Sequence, residues 1–125
     1  SDTRDPIDVK GVEAAAPQAV YQTARWGGDL AYTFEKLKPG SAYTVRLHLA
    51  ELNFSNPGQR VFNVLANAQP VLENIDIVAA TGGKNKALVK EFTAKAGEDG
   101  KLAVSFKGVK DIGTANGIEV LEASP

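Results

Sequence analysis

A chain of 125 residues is long enough for one domain that buries about two thirds of its unfolded surface, and too short for two such cores. Its 14 basic and 15 acidic residues nearly cancel and form no run of like charge, so the footprint that nucleic acid or an anionic membrane requires is missing. The absence of cysteine excludes disulfides and thiolate metal sites while leaving the compartment open, and no apolar run approaches the roughly 20 residues of a membrane helix.

Residues 1–17 are polar, carry Pro6 and Pro17, and have one short apolar patch at Ile7, Val9 and Val12. They read as an extended lead-in segment laid over the domain, and their first residues lack the apolar core of a signal peptide. Val20 to Thr23 reads as a short strand. Ala24 to Asp29, with two glycines beside the only tryptophan, reads as a loop that displays the Trp26 indole. Leu30, Tyr32 and Phe34 alternate with Ala31 and Thr33, and Lys38-Pro39-Gly40-Ser41 supplies turn chemistry, which predicts a hairpin with the next strand.

That next strand is the strongest signal in the chain. Tyr43, Val45, Leu47 and Leu49 alternate with Thr44, Arg46, His48 and Ala50, the period-2 pattern of a strand with one face in a core. It runs out through Glu51-Leu52-Asn53-Phe54 into the turn Ser55-Asn56-Pro57-Gly58, and pairing restarts over Arg60 to Ala66. Asn67 to Pro70 turns the chain, and Val71 to Ala80 reads as one or two short strands closed by Gly82-Gly83. Those glycines suit a loop of positive φ rather than a phosphate loop, whose spacing and terminal Lys-Ser/Thr are absent. Ala87 to Ala96 and Lys101 to Lys107 flank Gly97-Glu98-Asp99-Gly100, a second predicted hairpin, and Ile118 to Leu121 forms the last strand after a loop holding Asp111. About eight short strands with turns every ten or so residues predict an all-β fold, an antiparallel sandwich or jelly roll, in one domain over residues 1–125.

The segments VYQTARWGGDLAYTF, PGSAYTVRLHLAELNF, GQRVFNV, NIDI and GIEVL, in that order, resemble the malectin and malectin-like carbohydrate-binding family, including bacterial versions appended to secreted glycoside hydrolases. The resemblance covers roughly Val20 to Leu121 and implies a jelly-roll β-sandwich that binds sugars through loops at one end. It places Trp26 where the animal member has a tyrosine, Asn53-Phe54 where that protein has a Tyr-Phe pair, and Asp111 at its acidic position. A further family tyrosine falls near Thr3 or Arg4, so two of the family's aromatic positions are not aromatic here. Family members begin with a strand ending in a glycine pair, upstream of Ser1. Its absence predicts an open edge beside Ile118 to Leu121 that the missing strand, or a strand-donating peptide, would fill.

The chemistry of the named residues fits a pyranose, whose apolar C–H face meets an aromatic ring and whose hydroxyl rim meets carboxylate, amide and guanidinium groups. Trp26, Phe54, Asn53, Asp111 and Arg25 supply that set. Three of these have a plainer reading: Trp26 as core, Phe54 as a plug at the sandwich end, Asp111 as a turn cap. His48, Arg46 and Arg60 read as structural, with Glu51 the partner of one arginine. No pair of carboxylates is marked for glycoside cleavage, Asn74 and Asp76 are too few oxygens for calcium, and no cofactor motif occurs. The sequence therefore predicts a non-catalytic carbohydrate-binding module without metal or cofactor. It would hold a secreted or surface protein, bacterial and extracellular or periplasmic, on a glucose-type oligosaccharide or cell-wall polysaccharide. The alternative is a protein-interaction module of the same fold.

Overall fold

The computed structural model describes residues 3–27 and 29–123, apart from the side chains of Trp26 and Asp29. Among these the chain forms nine strands and two short helices: α1 (Gln18–Tyr21), β1 (Arg25–Gly27), β2 (Asp29–Phe34), β3 (Ala42–Ala50), β4 (Val61–Ala66), β5 (Gln69–Ile75), α2 (Ile77–Thr81), β6 (Ala87–Lys95), β7 (Leu102–Lys110), β8 (Gly113–Ala115) and β9 (Gly117–Glu122). Two antiparallel sheets, ordered β2-β7-β4-β5 and β6-β3-β9, make the all-β sandwich, and a two-stranded ribbon β1-β8 lies beside them.

Alternation fixes the inner faces. Val45, Leu47 and Leu49 of β3, Phe62 and Val64 of β4, and Leu102, Val104 and Phe106 of β7 are fully or almost fully buried in one cluster. Each such side chain contributes about 1.5–3 kcal/mol of burial, so this interior is what holds the two sheets face to face. The aromatic contacts Phe62–Phe106 and Tyr32–Phe106, with centroids 6.1 and 6.3 Å apart, tie three strands of the first sheet together.

Both predicted hairpins are corrected by the pairing. β2 pairs with β7 while β3 pairs with β6 and β9, so the Lys38–Ser41 turn crosses between sheets; the Gly97–Gly100 turn does the same between β6 and β7. The crossings bond each other, Leu37 N–H donating to Gly100 O and Gly40 N–H to Ala96 O. Turn residues reverse the chain equally well for a hairpin or a sandwich arch, and the buried faces decide which forms. Among the described residues, the one pairing of strands joined by a tight turn is β4-β5, where Asn67 and Ala68 have φ of 46° and 67°, the positive pair of a type I′ turn.

Val20 to Thr23 is not a strand. Pro17, at φ −57°, sits at the start of α1, and Gln22 N–H closes its turn on Gln18 O. The turn carries Tyr21 inward, where it is fully buried, packs with Ile7, Ala50 and Ala87, and meets His48. Val71 to Ala80 is likewise part strand and part helix: Asp76 caps α2 by accepting Ala79 N–H, and Gly82 closes it at φ 90°.

The outer face of β3 is polar and covered. His48, 2% exposed, has Nδ1 2.9 Å from the Tyr21 hydroxyl and Nε2 2.6 Å from Glu119 Oε1. The Tyr21 hydroxyl also accepts Ala16 N–H at 3.0 Å, which ties residue 16 to the same buried cluster. The hydrogen bond with His48 is the main cause holding the Glu119 carboxyl below its ordinary range, against a smaller desolvation effect, with the charges of His48 and then Arg46 adding to the lowering. Arg46 also pairs with Glu91 and donates to the carbonyls of Glu13 and Ala14, pinning residues 13–14 onto the sheet.

Candidate functional site

The end of β3 opens into a loop, residues 51–60, whose floor is a buried ion pair. Glu51 is 2% exposed and Arg60 5%, and Arg60 Nε lies 2.6 Å from Glu51 Oε1. The other carboxylate oxygen of Glu51 accepts the backbone N–H of Asn53 at 3.1 Å and of Phe54 at 3.4 Å. One carboxylate thus fixes the backbone that carries both loop residues read as sugar contacts. Asn53 is exposed and Phe54 half-buried, with its ring centroid 5.1 Å from the Arg60 guanidinium carbon, a cation–π contact.

Arg60 reaches a second element. Its Nη1 donates to Ile112 O at 2.8 Å, in the turn between β7 and β8. Asp111, beside that carbonyl, is exposed at φ 59° and accepts Ile112 N–H on Oδ1 at 2.8 Å. Its carboxylate therefore serves the turn and retains a second oxygen for another partner. The turn is tight because two glycines permit it: a Cβ on Gly108 would fall 2.1 Å from Asp111 O, and one on Gly113 2.7 Å from Phe106 Cβ. β8 then pairs with β1, Trp26 opposite Thr114 and Gly27 opposite Gly113, so the backbone of Trp26 lies next to the same turn. The Trp26 indole lies outside the described residues. Residues 25–27 form a strand of the ribbon rather than the loop expected from the glycine pair.

Arg25 is exposed and placed differently. It lines a cleft of about 200 Å³ with Thr23, Tyr32 and Asn116, and among the described residues no hydrogen bond, ion pair or ring contact ties its side chain to Asn53, Phe54 or Asp111. Asn116 is a structural peg there: Ala50 N–H donates to its Oδ1, and its Nδ2 donates to the carbonyls of Tyr21 and Thr23. The sequence gives no role to Asn116; it reads Arg60 as structural and Glu51 as the partner of one arginine, and the ion pair identifies that arginine as Arg60. The signal that singles out Arg60 as that partner is the isolation of a carboxylate and a guanidinium at facing strand ends, flanking one turn.

The arrangement offers an aromatic ring, an exposed amide and a carboxylate on a prebuilt frame, which is hydrogen-bonding and stacking chemistry. Among the described residues no group of three or more His, Asp or Glu could hold a metal ion.

A family model described as Malectin domain matches residues 4–119. A probable receptor-like protein kinase of Arabidopsis thaliana is 36% identical over 86 residues, 62% of this chain and 10% of the relative, so the chain spans about a tenth of its length. The ANXUR1 extracellular domain from Arabidopsis thaliana superimposes with a TM-score of 0.88 at 21% identity, over 99% of this chain and 38% of that one. A like fold occurs within Bacteroides uniformis beta-glucuronidase, at a TM-score of 0.79 and 18% identity, over 99% of this chain and 14% of that one. At such identities the two structures give the fold alone. The sequence relative is a plant receptor protein, so the bacterial, glycoside-hydrolase-appended setting expected from the sequence is unsupported.

Proposed function

This chain belongs to the malectin domain family, and on that premise we propose that it is a non-catalytic glycan-binding module of an extracellular protein. The observation that supports this reading is the link Arg60 makes between Phe54 and the Ile112 carbonyl, which draws the Asn53-Phe54 loop and the Asp111 turn to one end of the sandwich. A sugar would stack its C–H face on Phe54, which can offer only the ring face that Arg60 leaves uncovered, and hydrogen-bond Asn53 and the free oxygen of Asp111. Trp26, on the adjoining strand, adds its indole in this reading, and Arg25 contributes from the neighbouring cleft. With few rings and well-hydrated ligands, affinity falls in the micromolar to millimolar range, about −8 to −4 kcal/mol. Glucose, maltose, galactose and cell-wall oligosaccharides, titrated while following Trp26 fluorescence, test it. Binding lost in Phe54→Ala with unchanged melting supports the reading, and silence across a broad glycan array refutes it.

A second reading, a protein-interaction module, is favoured by one feature. Among the described residues β9 pairs only with β3, leaving an open edge on which Leu121 is 47% exposed. An extended segment adding to that edge would complete the sheet. Amide exchange at residues 118–121 as slow as in β3, in the isolated monomer, would rule it out.

A further inference from the structure

Arg60 and Glu51 touch every part of the proposed glycan site except β1, yet both are almost fully buried and neither is placed to meet a ligand directly. We propose that this ion pair is the positioning device of the site. Glu51 sets the backbone of Asn53 and Phe54, and Arg60 sets the Phe54 ring against the Asp111–Ile112 turn, so that the contacts stand at fixed separation before any ligand arrives. The inference rests on the reading of this end of the sandwich as glycan-binding.

The residue types follow from the geometry. One acceptor group must receive three N–H donors, the Nε of Arg60 on one oxygen and two backbone amides on the other, which a carboxylate does and a carboxamide cannot, because one of its two terminal atoms is itself a donor. One cation must bond a carboxylate at 2.6 Å, bond a carbonyl at 2.8 Å and lie over an aromatic ring at 5.1 Å. A planar guanidinium does these together, while an ammonium is a point charge on a flexible stem. The site also needs this device more than most. Its loop runs through Ser55-Asn56-Pro57-Gly58, with no strand pairing of its own between β3 and β4, and Gly58 is held from the far side by Asp76 Oδ2. Preorganisation of such a loop is where affinity for a weakly bound, flexible sugar is gained or lost.

Arg60→Lys and Glu51→Gln are compared with wild type by amide hydrogen exchange and by titration with maltose and cellohexaose, at a temperature where far-ultraviolet dichroism shows every variant folded. Faster exchange at Asn53 and Phe54 in both variants, with the β3 amides unchanged, and at least a tenfold loss of affinity supports the proposal. Ile75→Val, a core change elsewhere, serves as the control and leaves affinity unaltered. Unchanged exchange at Asn53 and Phe54 overturns the positioning role, as does full affinity in Arg60→Lys. Faster exchange in both variants, with a wild-type protein that binds neither sugar, keeps the positioning role for the loop and removes the glycan reading instead.

Discussion

Asn116→Ala removes one side chain and strands three backbone groups at once. Its Oδ1 accepts Ala50 N–H at 2.8 Å, and its Nδ2 donates to Tyr21 O at 2.8 Å and Thr23 O at 3.0 Å. Ala50 is 1% exposed, so its amide, left without an acceptor, carries a penalty of about 1–3 kcal/mol. The two carbonyls keep other lone-pair capacity, and each loses about 0.5–1 kcal/mol. The expected cost is about 2–5 kcal/mol, a fall in Tm of roughly 6–25 °C for a domain of this size, read by urea and thermal melts followed by dichroism. Asn116→Asp sharpens the test. It keeps an acceptor for Ala50 but turns a second oxygen toward two carbonyls, so the folded state raises the new carboxyl's pKa above its unfolded value of about 3.9. Its deficit relative to wild type is therefore small below about pH 4 and grows as pH rises through the raised folded pKa. A loss below 1 kcal/mol for Asn116→Ala, or a pH-independent deficit for Asn116→Asp, would show that the peg does not bear on stability.

Arg60→Ala leaves the buried Glu51 carboxylate without its cation and should cost about 3–5 kcal/mol, while the double change Glu51→Gln with Arg60→Met costs much less, a non-additivity measurable in a double-mutant cycle. Ala68→Gly should stabilise by about 1 kcal/mol, because Ala68 holds φ 67° at the second position of the β4-β5 turn, where a Cβ is disfavoured; equal melting of the two proteins would contradict this. The lowered pKa of Glu119 means that its contribution is complete above the ordinary carboxylate value of 4.5 and is lost as pH falls through the depressed folded value. Glu119→Gln should accordingly flatten the acid limb of a stability-against-pH curve, which denaturant midpoints measured across that range would reveal.

The strands were legible in the chain wherever one face is buried, as at Tyr43 to Leu49 and Leu102 to Phe106, because alternation records burial directly. Pairing was not legible. The Lys38–Ser41 and Gly97–Gly100 turns carry the same residues a hairpin would need, and nothing local distinguishes a reversal within a sheet from one between sheets. Val20 to Thr23 has a strand former's composition, yet Pro17 and the burial of Tyr21 against His48 put Val20 and Tyr21 in a helical turn that ends at Gln22, a tertiary override of propensity. At the candidate site, Asn53, Phe54 and Asp111 were reached through family resemblance, and the structure brings their backbones into one frame while leaving Arg25 in a separate cleft. The pairing of Glu51 with one of two arginines was legible; which arginine, and that the pair is buried and holds the Asn53 and Phe54 backbone, was not, because a sequence shows that opposite charges exist without showing that they are buried together.

The order of β6-β3-β9 bears on how the chain is made. β3 takes one neighbour from residues 87–95 and the other from residues 117–122, with Leu47 opposite both Lys90 and Ile118. Synthesis from the N-terminus therefore extrudes the most apolar strand of that sheet before either partner exists, and it stays unpaired at least until residues 87–95 have followed it. Such distant closures also slow folding into the millisecond-to-second range, since the chain between them must be ordered first. The β4-β5 hairpin, needing only Asn67 and Ala68 to form, is the segment able to take shape during that wait.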